Sequence, residues 1–228
     1  MKLIKCPKCG EMYSDSYRTC PFCQEDEALK GRAAAPRRKV TRRRRAPSIL
    51  GPAMVLVVVL AAVLGALMAV DFGGPINKAA YLFGTVALAG GQEEFMAAVM
   101  AGGMVPPLGV ALAGTLFPER FTTKERHTAM TDYLMGACFI TEGVVPFVLR
   151  DPLHVIPSCM AGASLAAALS MLFGCAVPAP HGGMFLLPLN PHPFRYLLAL
   201  LMGSLLTAVT LAVLRRKYPP KDEEQPTN

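Results

Sequence analysis

From Ile49 to Val70 the chain runs for 22 residues without a charged side chain. At 1.5 Å per residue, a helix of that length crosses a hydrocarbon core of about 30 Å. Further candidate spans are Phe95 to Phe117, Leu153 to Val177 and Phe194 to Leu214; the first of these is expected to be interrupted by Gly102-Gly103 and Pro106-Pro107. Apolar residues make up 53% of the chain and charged residues 17%, which excludes a soluble enzyme. The expected fold is mainly α, with polytopic membrane helices. The first apolar run starts too late and is too long for a secretory h-region, so the first span is expected to act as its own insertion signal.

Lys and Arg near span ends are retained on the cytoplasmic side of short loops. Arg37, Arg38, Lys39 and Arg42 to Arg45 precede the first span. Arg120, Lys124 and Arg126 follow the second, and Arg215, Arg216 and Lys217 follow the last. Both termini are therefore expected in the cytoplasm. The segment from about Tyr133 to Leu149 must then leave from and return to the cytoplasmic side, because Arg150-Asp151-Pro152 directly precedes the third span. Gly143, Pro146 and Pro152 keep this region from being one continuous helix. It is expected to be a re-entrant hairpin with Glu142 near its tip. The segment from Pro178 to Pro193, too Pro-rich for a helix, is expected as a second inward-dipping loop carrying His181.

A carboxylate at bilayer depth costs roughly 2.5 to 3.5 kcal/mol, and irregular backbone is tolerated there only against protein or a water-filled cavity. Glu142 thus reads as a binding residue for an ion, a proton or a substrate, or else as an acid paired within the protein, with Lys78 as the candidate partner. Asp71 and Lys78 flank a Gly-Gly-Pro-x-Asn turn, where a local ion pair or helix cap competes with ligand contact. Glu93 and Glu94 are expected on a solvated loop face, His127, His154 and His192 at the interface, and Cys138, Cys159 and Cys175 as packing residues.

The first 25 residues read as a separate zinc-ribbon module. Cys6-Pro7-Lys8-Cys9 and Cys20-Pro21-Phe22-Cys23 are two C-x2-C knuckles whose four thiolates can surround one Zn2+. Disulfides or a redox pair are the alternatives; the adjoining basic segment places the module in the reducing cytoplasm, where structural disulfides are rare. So short a segment needs the metal to fold. Residues 26–48 read as a basic flexible linker whose Arg run is topogenic and attracted to anionic lipid. Specific nucleic-acid binding is not expected, because no aromatic residues interleave the basic ones. Residues 49–217 form the membrane domain, and the polar tail 218–228 is expected to be disordered.

Five motifs occur in order: Asp71-Phe72-Gly73-Gly74-Pro75-Ile76-Asn77-Lys78, Gly103-Met104-Val105-Pro106-Pro107-Leu108-Gly109, Phe139-Ile140-Thr141-Glu142-Gly143, Asp151-Pro152 with Ile156-Pro157-Ser158, and Pro178-Ala179-Pro180-His181-Gly182-Gly183. Together they resemble the carboxy-terminal half of the fructose-type enzyme IIC permease of the bacterial phosphoenolpyruvate-dependent sugar phosphotransferase system. The resemblance covers about residues 49 to 216. It implies a multi-pass protein of the bacterial cytoplasmic membrane that binds and translocates a hexose or hexitol. It also implies that Glu142, next to Thr141, hydrogen-bonds sugar hydroxyls and that His181 is a second polar contact, unless His181 is a loop histidine satisfied by backbone. Asn77 and Asn190 offer a donor and an acceptor each.

Relatives of this type carry further amino-terminal membrane helices, a IIB domain with a phospho-accepting Cys and a IIA domain with a phospho-accepting His. These are expected to come from elsewhere: a cytoplasmic IIB-type phosphocarrier, and either a second copy of the chain or a separate amino-terminal permease half. Alone, the chain is not expected to phosphorylate sugar. The alternative expectation is a non-transporting membrane anchor that presents the zinc ribbon to a partner or regulates it.

Overall fold

The computed structural model describes residues 3–5, 12–14 and 51–215. They fall into two units, 1–48 and 49–228. In the first, β1 (Leu3–Lys5) and β2 (Met12–Ser14) pair antiparallel, with Leu3 opposite Ser14 and Lys5 opposite Met12. The four ribbon cysteines Cys6, Cys9, Cys20 and Cys23, the linker and the 218–228 tail lie outside the described residues.

The second unit is helical: α1 (Pro52–Met68), α2 (Pro75–Ala89), α3 (Glu93–Leu116), α4 (Thr123–Ala137), α5 (Val145–Arg150), α6 (Pro152–Leu172) and α7 (Pro193–Arg215). Short 3-10 turns occupy Pro118–Arg120, Thr141–Val144 and Gly183–Leu189. Among the described residues, α3, α6 and α7 are long and apolar enough to cross a membrane, and α1 is a shorter apolar helix. The chain is a membrane protein.

The central helix is α3, packed against α1, α2, α4, α6 and α7. Its residues Met96, Met100, Met104, Val105 and Val110 are fully buried. It does not break at its glycines and prolines as the sequence suggested; it runs unbroken through Pro106 and Pro107. A proline inside a helix removes one hydrogen bond and presses its ring on the carbonyl of residue i−4. Here the i−4 residues are Gly102 and Gly103, the least crowded pair available, and neighbouring helices enclose the weakened stretch.

Small residues let the helices approach closely. A Cβ on Gly102 would lie 2.7 Å from the Cα of Gly65 on α1, and one on Gly203 of α7 would lie 2.6 Å from the carbonyl of Gly162 on α6. Outward-facing Leu56, Leu149, Leu153 and Phe194 leave an apolar exterior, as a lipid-facing surface requires.

Two segments read as turn and loop are helices. Helix α2 follows the Gly-Gly-Pro turn directly, with Pro75 in its first turn. The Asp71 carboxylate accepts the backbone N–H groups of Ile76 and Asn77 at 2.7 and 2.9 Å, which settles its role as a cap. Helix α4 starts on a capping box, Thr122 with Glu125. Glu93 and Glu94 stand not in a loop but in the first turn of α3, where acids complement the helix dipole. The Pro178–Pro193 segment is not wholly irregular, since Gly183–Leu189 forms a 3-10 turn.

One end of the bundle is tied by Arg215, the last residue of α7 and 4% exposed. Its guanidinium donates to Asp151 Oδ2 at 3.0 Å, to Glu125 Oε1 at 3.5 Å and to the Arg120 carbonyl at 3.4 Å. It also covers the Phe121 ring at 4.8 Å. Asp151 Oδ1 additionally holds His154 at 2.5 Å. The start of α4, the α5–α6 junction and the end of α7 therefore meet at one place. Between them the chain runs through α4, about 22 Å long, the Thr141–Val144 turn that carries Glu142, and the short α5.

Candidate functional site

Near Glu142 and in the α1–α2 turn the backbone is held in unusual conformations. Among the described residues the non-glycine residues with positive φ are Phe72 (43°) and Phe139 (63°). Backbone strain of this kind persists where surrounding packing over-determines it, and it clusters at functional sites. Phe72 is buried and followed by Gly73 at φ 100°, so the chain reverses sharply between α1 and α2. Phe139 lies between α4 and the Thr141–Val144 turn. Its ring fills space that a Cβ on Gly103 of α3 would occupy.

The two turns meet over a cavity of about 540 Å³, within the size range of small-molecule sites. Its polar groups are Asn77, Lys78, Thr141, Glu142 and His181, and its apolar surface comes from Met68, Tyr81, Phe139 and Ile140. Glu142 points at the α1–α2 turn; a Cβ on Gly73 would come within 2.6 Å of Glu142 Oε1. Glycine is thus required at position 73 both for its φ and for room beside the carboxylate. The Thr141 hydroxyl lies 3.5 Å from Glu142 Oε2, at the limit of a hydrogen bond. Among the described residues Glu142 makes no ion pair with Lys78, the partner that would have made it purely structural.

The Phe139 ring lies 6.2 Å from that of Tyr81 and 5.4 Å from that of His181. His181 reaches the cavity because the 178–183 segment docks on the end of α4; a Cβ on Gly183 would strike the Ala137 carbonyl. An aromatic floor with a carboxylate, an ammonium, an imidazole and a hydroxyl at its rim suits a small polyhydroxylated molecule. The C–H face of such a ligand stacks on aromatic surface while its hydroxyls exchange hydrogen bonds with the rim.

The residues singled out from sequence separate here. Glu142, Thr141, His181 and Asn77 line the cavity. Asn77, however, spends its amide N–H on the Met68 carbonyl at 2.6 Å, tying α2 to the end of α1. Asn190 does not line it: its Oδ1 accepts the His192 N–H at 2.9 Å. Sequence reasoning missed Tyr81 and Asp132, which lies buried beneath the Thr141–Val144 turn; Lys78, left between an ion pair and ligand contact, lines the cavity. The signal for Tyr81 was its place one turn beyond Asn77, legible only once α2 is recognised as a helix.

Fold and site define a polytopic membrane protein with a polar cavity floored by aromatic rings beside the Thr141–Val144 turn. Comparison with known proteins narrows the class. The chain is 45% identical over 164 residues, 72% of its length, to the PTS system fructose-specific EIIABC component of Bacillus subtilis, of which it covers 26%. It is 44% identical over 164 residues to the fructose permease IIC component of Bacillus amyloliquefaciens, covering 54% of it. To the PTS system fructose-specific EIIB'BC component of Rhodobacter capsulatus it is 46% identical over 169 residues, covering 29%. The chain thus spans about half the length of these relatives or less. No family model matches it, and no solved structure does.

Proposed function

We propose that the membrane unit is a permease component of fructose-specific enzyme IIC type, and that it binds a hexose or hexitol in the Glu142 cavity. The convergence of Glu142, Thr141 and His181 from two separate segments on one aromatic-floored cavity carries this reading. Glu142 accepts sugar hydroxyls, His181 donates or accepts, Lys78 donates, and Tyr81 with Phe139 supports the apolar face of the ring. The α4–α5 hairpin is re-entrant, with Glu142 at membrane depth. Both termini lie on the cytoplasmic side of the bacterial inner membrane, which also holds the Arg215 end of the bundle. Names that join EIIB to EIIC in one protein, as in the relatives from Bacillus subtilis and Rhodobacter capsulatus, support a cytoplasmic IIB-type phosphocarrier as partner. Completion of the transport path falls to a second copy or to a separate amino-terminal permease half.

Alkylation at the rim tests this. Ile140 lines the cavity and is 40% exposed. In a Cys138→Ser background, fructose should slow maleimide labelling of Ile140→Cys at least fivefold. Labelling indifferent to every hexose and hexitol tried would overturn the reading.

A second reading concerns the first unit. The antiparallel β1–β2 pair brackets Cys6 and Cys9, as a hairpin carrying a metal knuckle does. This supports one Zn2+ held by Cys6, Cys9, Cys20 and Cys23, and with it a ribbon that docks a cytoplasmic partner while the membrane unit anchors it. The purified chain should carry one equivalent of zinc, lost in Cys6→Ser with Cys20→Ser; a metal-free wild-type chain after zinc repletion would sink this reading.

A further inference from the structure

Asp132 has no place in the sugar site, yet it is the most unusual side chain around it. It sits on α4, is 0% exposed, and neither carboxyl oxygen has a hydrogen-bond partner among the described residues. A buried ionised carboxylate without donors is among the costliest groups a fold can hold. The carboxyl is aimed at the turn that carries Glu142. A Cβ placed on Gly143 would meet Asp132 Oδ1 at 2.5 Å and the Met135 sulfur at 2.8 Å.

No compensating charge reaches it from the elements packed on α4. Beyond Glu93 and Glu94 at its opposite end α3 carries none, the Gly183–Leu189 turn carries none, and the Thr141–Val144 turn brings Glu142, an acid aimed at Gly73 instead. From α6 the thiol of Cys159 comes close enough to sense the charge of Asp132. On α4 itself Lys124, Glu125, Arg126 and His127 stand more than a turn away.

We propose that Asp132 is a proton-binding site beneath the Thr141–Val144 turn, and that loss of its proton loosens the turn that presents Glu142 to the sugar. The inference rests on the sugar-site reading for its consequence, but not for its existence. Burial pushes the Asp132 carboxyl up to about 7, so the packed arrangement is the protonated one near neutral pH. When the proton leaves, the anion needs donors. The backbone N–H groups of the turn, one residue from Glu142, or entering water must supply them, and either requires the turn, which packs on Asp132 through Gly143, to shift against α4. By linkage, a sugar that binds the packed turn also favours the protonated acid, and its affinity falls as the pH rises through that range.

Amide hydrogen exchange of the full chain in lipid nanodiscs decides this without sugar. After correction for intrinsic rates, amides of residues 140–145 should lose at least fivefold protection between pH 6 and pH 8 in the wild type. Asp132→Asn, which keeps the shape of the neutral acid, should stay protected at both; Asp132→Ser replaces it if the amide variant does not fold. Protection that is independent of pH in the wild type, or that falls equally in the variant, overturns the proposal and in the second case assigns the response to another group such as His181. Fructose affinity measured across the same range should fall at least fivefold in the wild type and stay level in Asp132→Asn. If no form binds fructose, the sugar reading fails while the exchange result still stands or falls alone.

Discussion

At the scale of single residues, the cavity rests on positions where a larger side chain has nowhere to go. A methyl on Gly103 would overlap the Phe139 ring. Gly103→Ala should therefore push Phe139 out of the cavity floor and weaken hexose binding about tenfold or more while leaving helix content unchanged, as paired binding and circular-dichroism measurements would show. Unaltered affinity would mean that Phe139 is not part of the site. Asp132 makes a prediction about stability. Its carboxyl is raised from 3.8 to about 7, so between those values the unfolded chain releases a proton that the folded chain keeps. Stability should fall as pH rises through this window and level off above it. Asp132→Asn should abolish the slope; thermal midpoints at pH 5 and pH 8 measure it. Glu142 was legible in the sequence because an acid in an apolar, Pro-broken stretch is costly. Asp132 was not, because it sits in a helix with Lys124, Glu125 and Arg126, where an acid reads as surface.

At the scale of elements, hydropathy located α3, α6 and α7 because membrane-length apolar runs leave little choice. It missed α2 and α4 for physical reasons. Asp71 caps α2 from across an intervening glycine turn, so the start of the helix looks like loop. The charges of α4 serve a capping box and the Arg215 cluster rather than solvent alone. The prolines of α3 misled in the opposite sense, because nothing local reveals that Gly102 and Gly103 sit where the proline rings need room. Arg215 looked like a topogenic flank and proved to be the clasp joining α4, α6 and α7. Removing one partner of a buried charge cluster costs about 3 to 5 kcal/mol. Arg215→Ala, which strands Asp151 and Glu125, should lower the thermal midpoint markedly, whereas Arg216→Ala should not. Equal midpoints for the two variants would show that the cluster is not holding the bundle.

At the scale of the whole molecule, the chain joins a helical membrane unit to a unit in which two short strands pair antiparallel. Glycines at helix crossings bind the first into one body, and its strained turns face a single cavity. The motif order read from the sequence and the identity to fructose permease components meet at that cavity, which the Phe139–Glu142 segment lines from one side and the α1–α2 turn from the other. On the proposed reading, sugar recognition depends most on the Glu142 carboxylate, since a charge-assisted hydrogen bond is worth about 1.5 to 3 kcal/mol. Equilibrium binding of labelled fructose to the purified chain in nanodiscs, wild type against Glu142→Gln, tests this most directly. Saturable binding weakened roughly 10- to 150-fold in the variant is the predicted result; binding of equal strength in both, or binding in neither, would contradict the account.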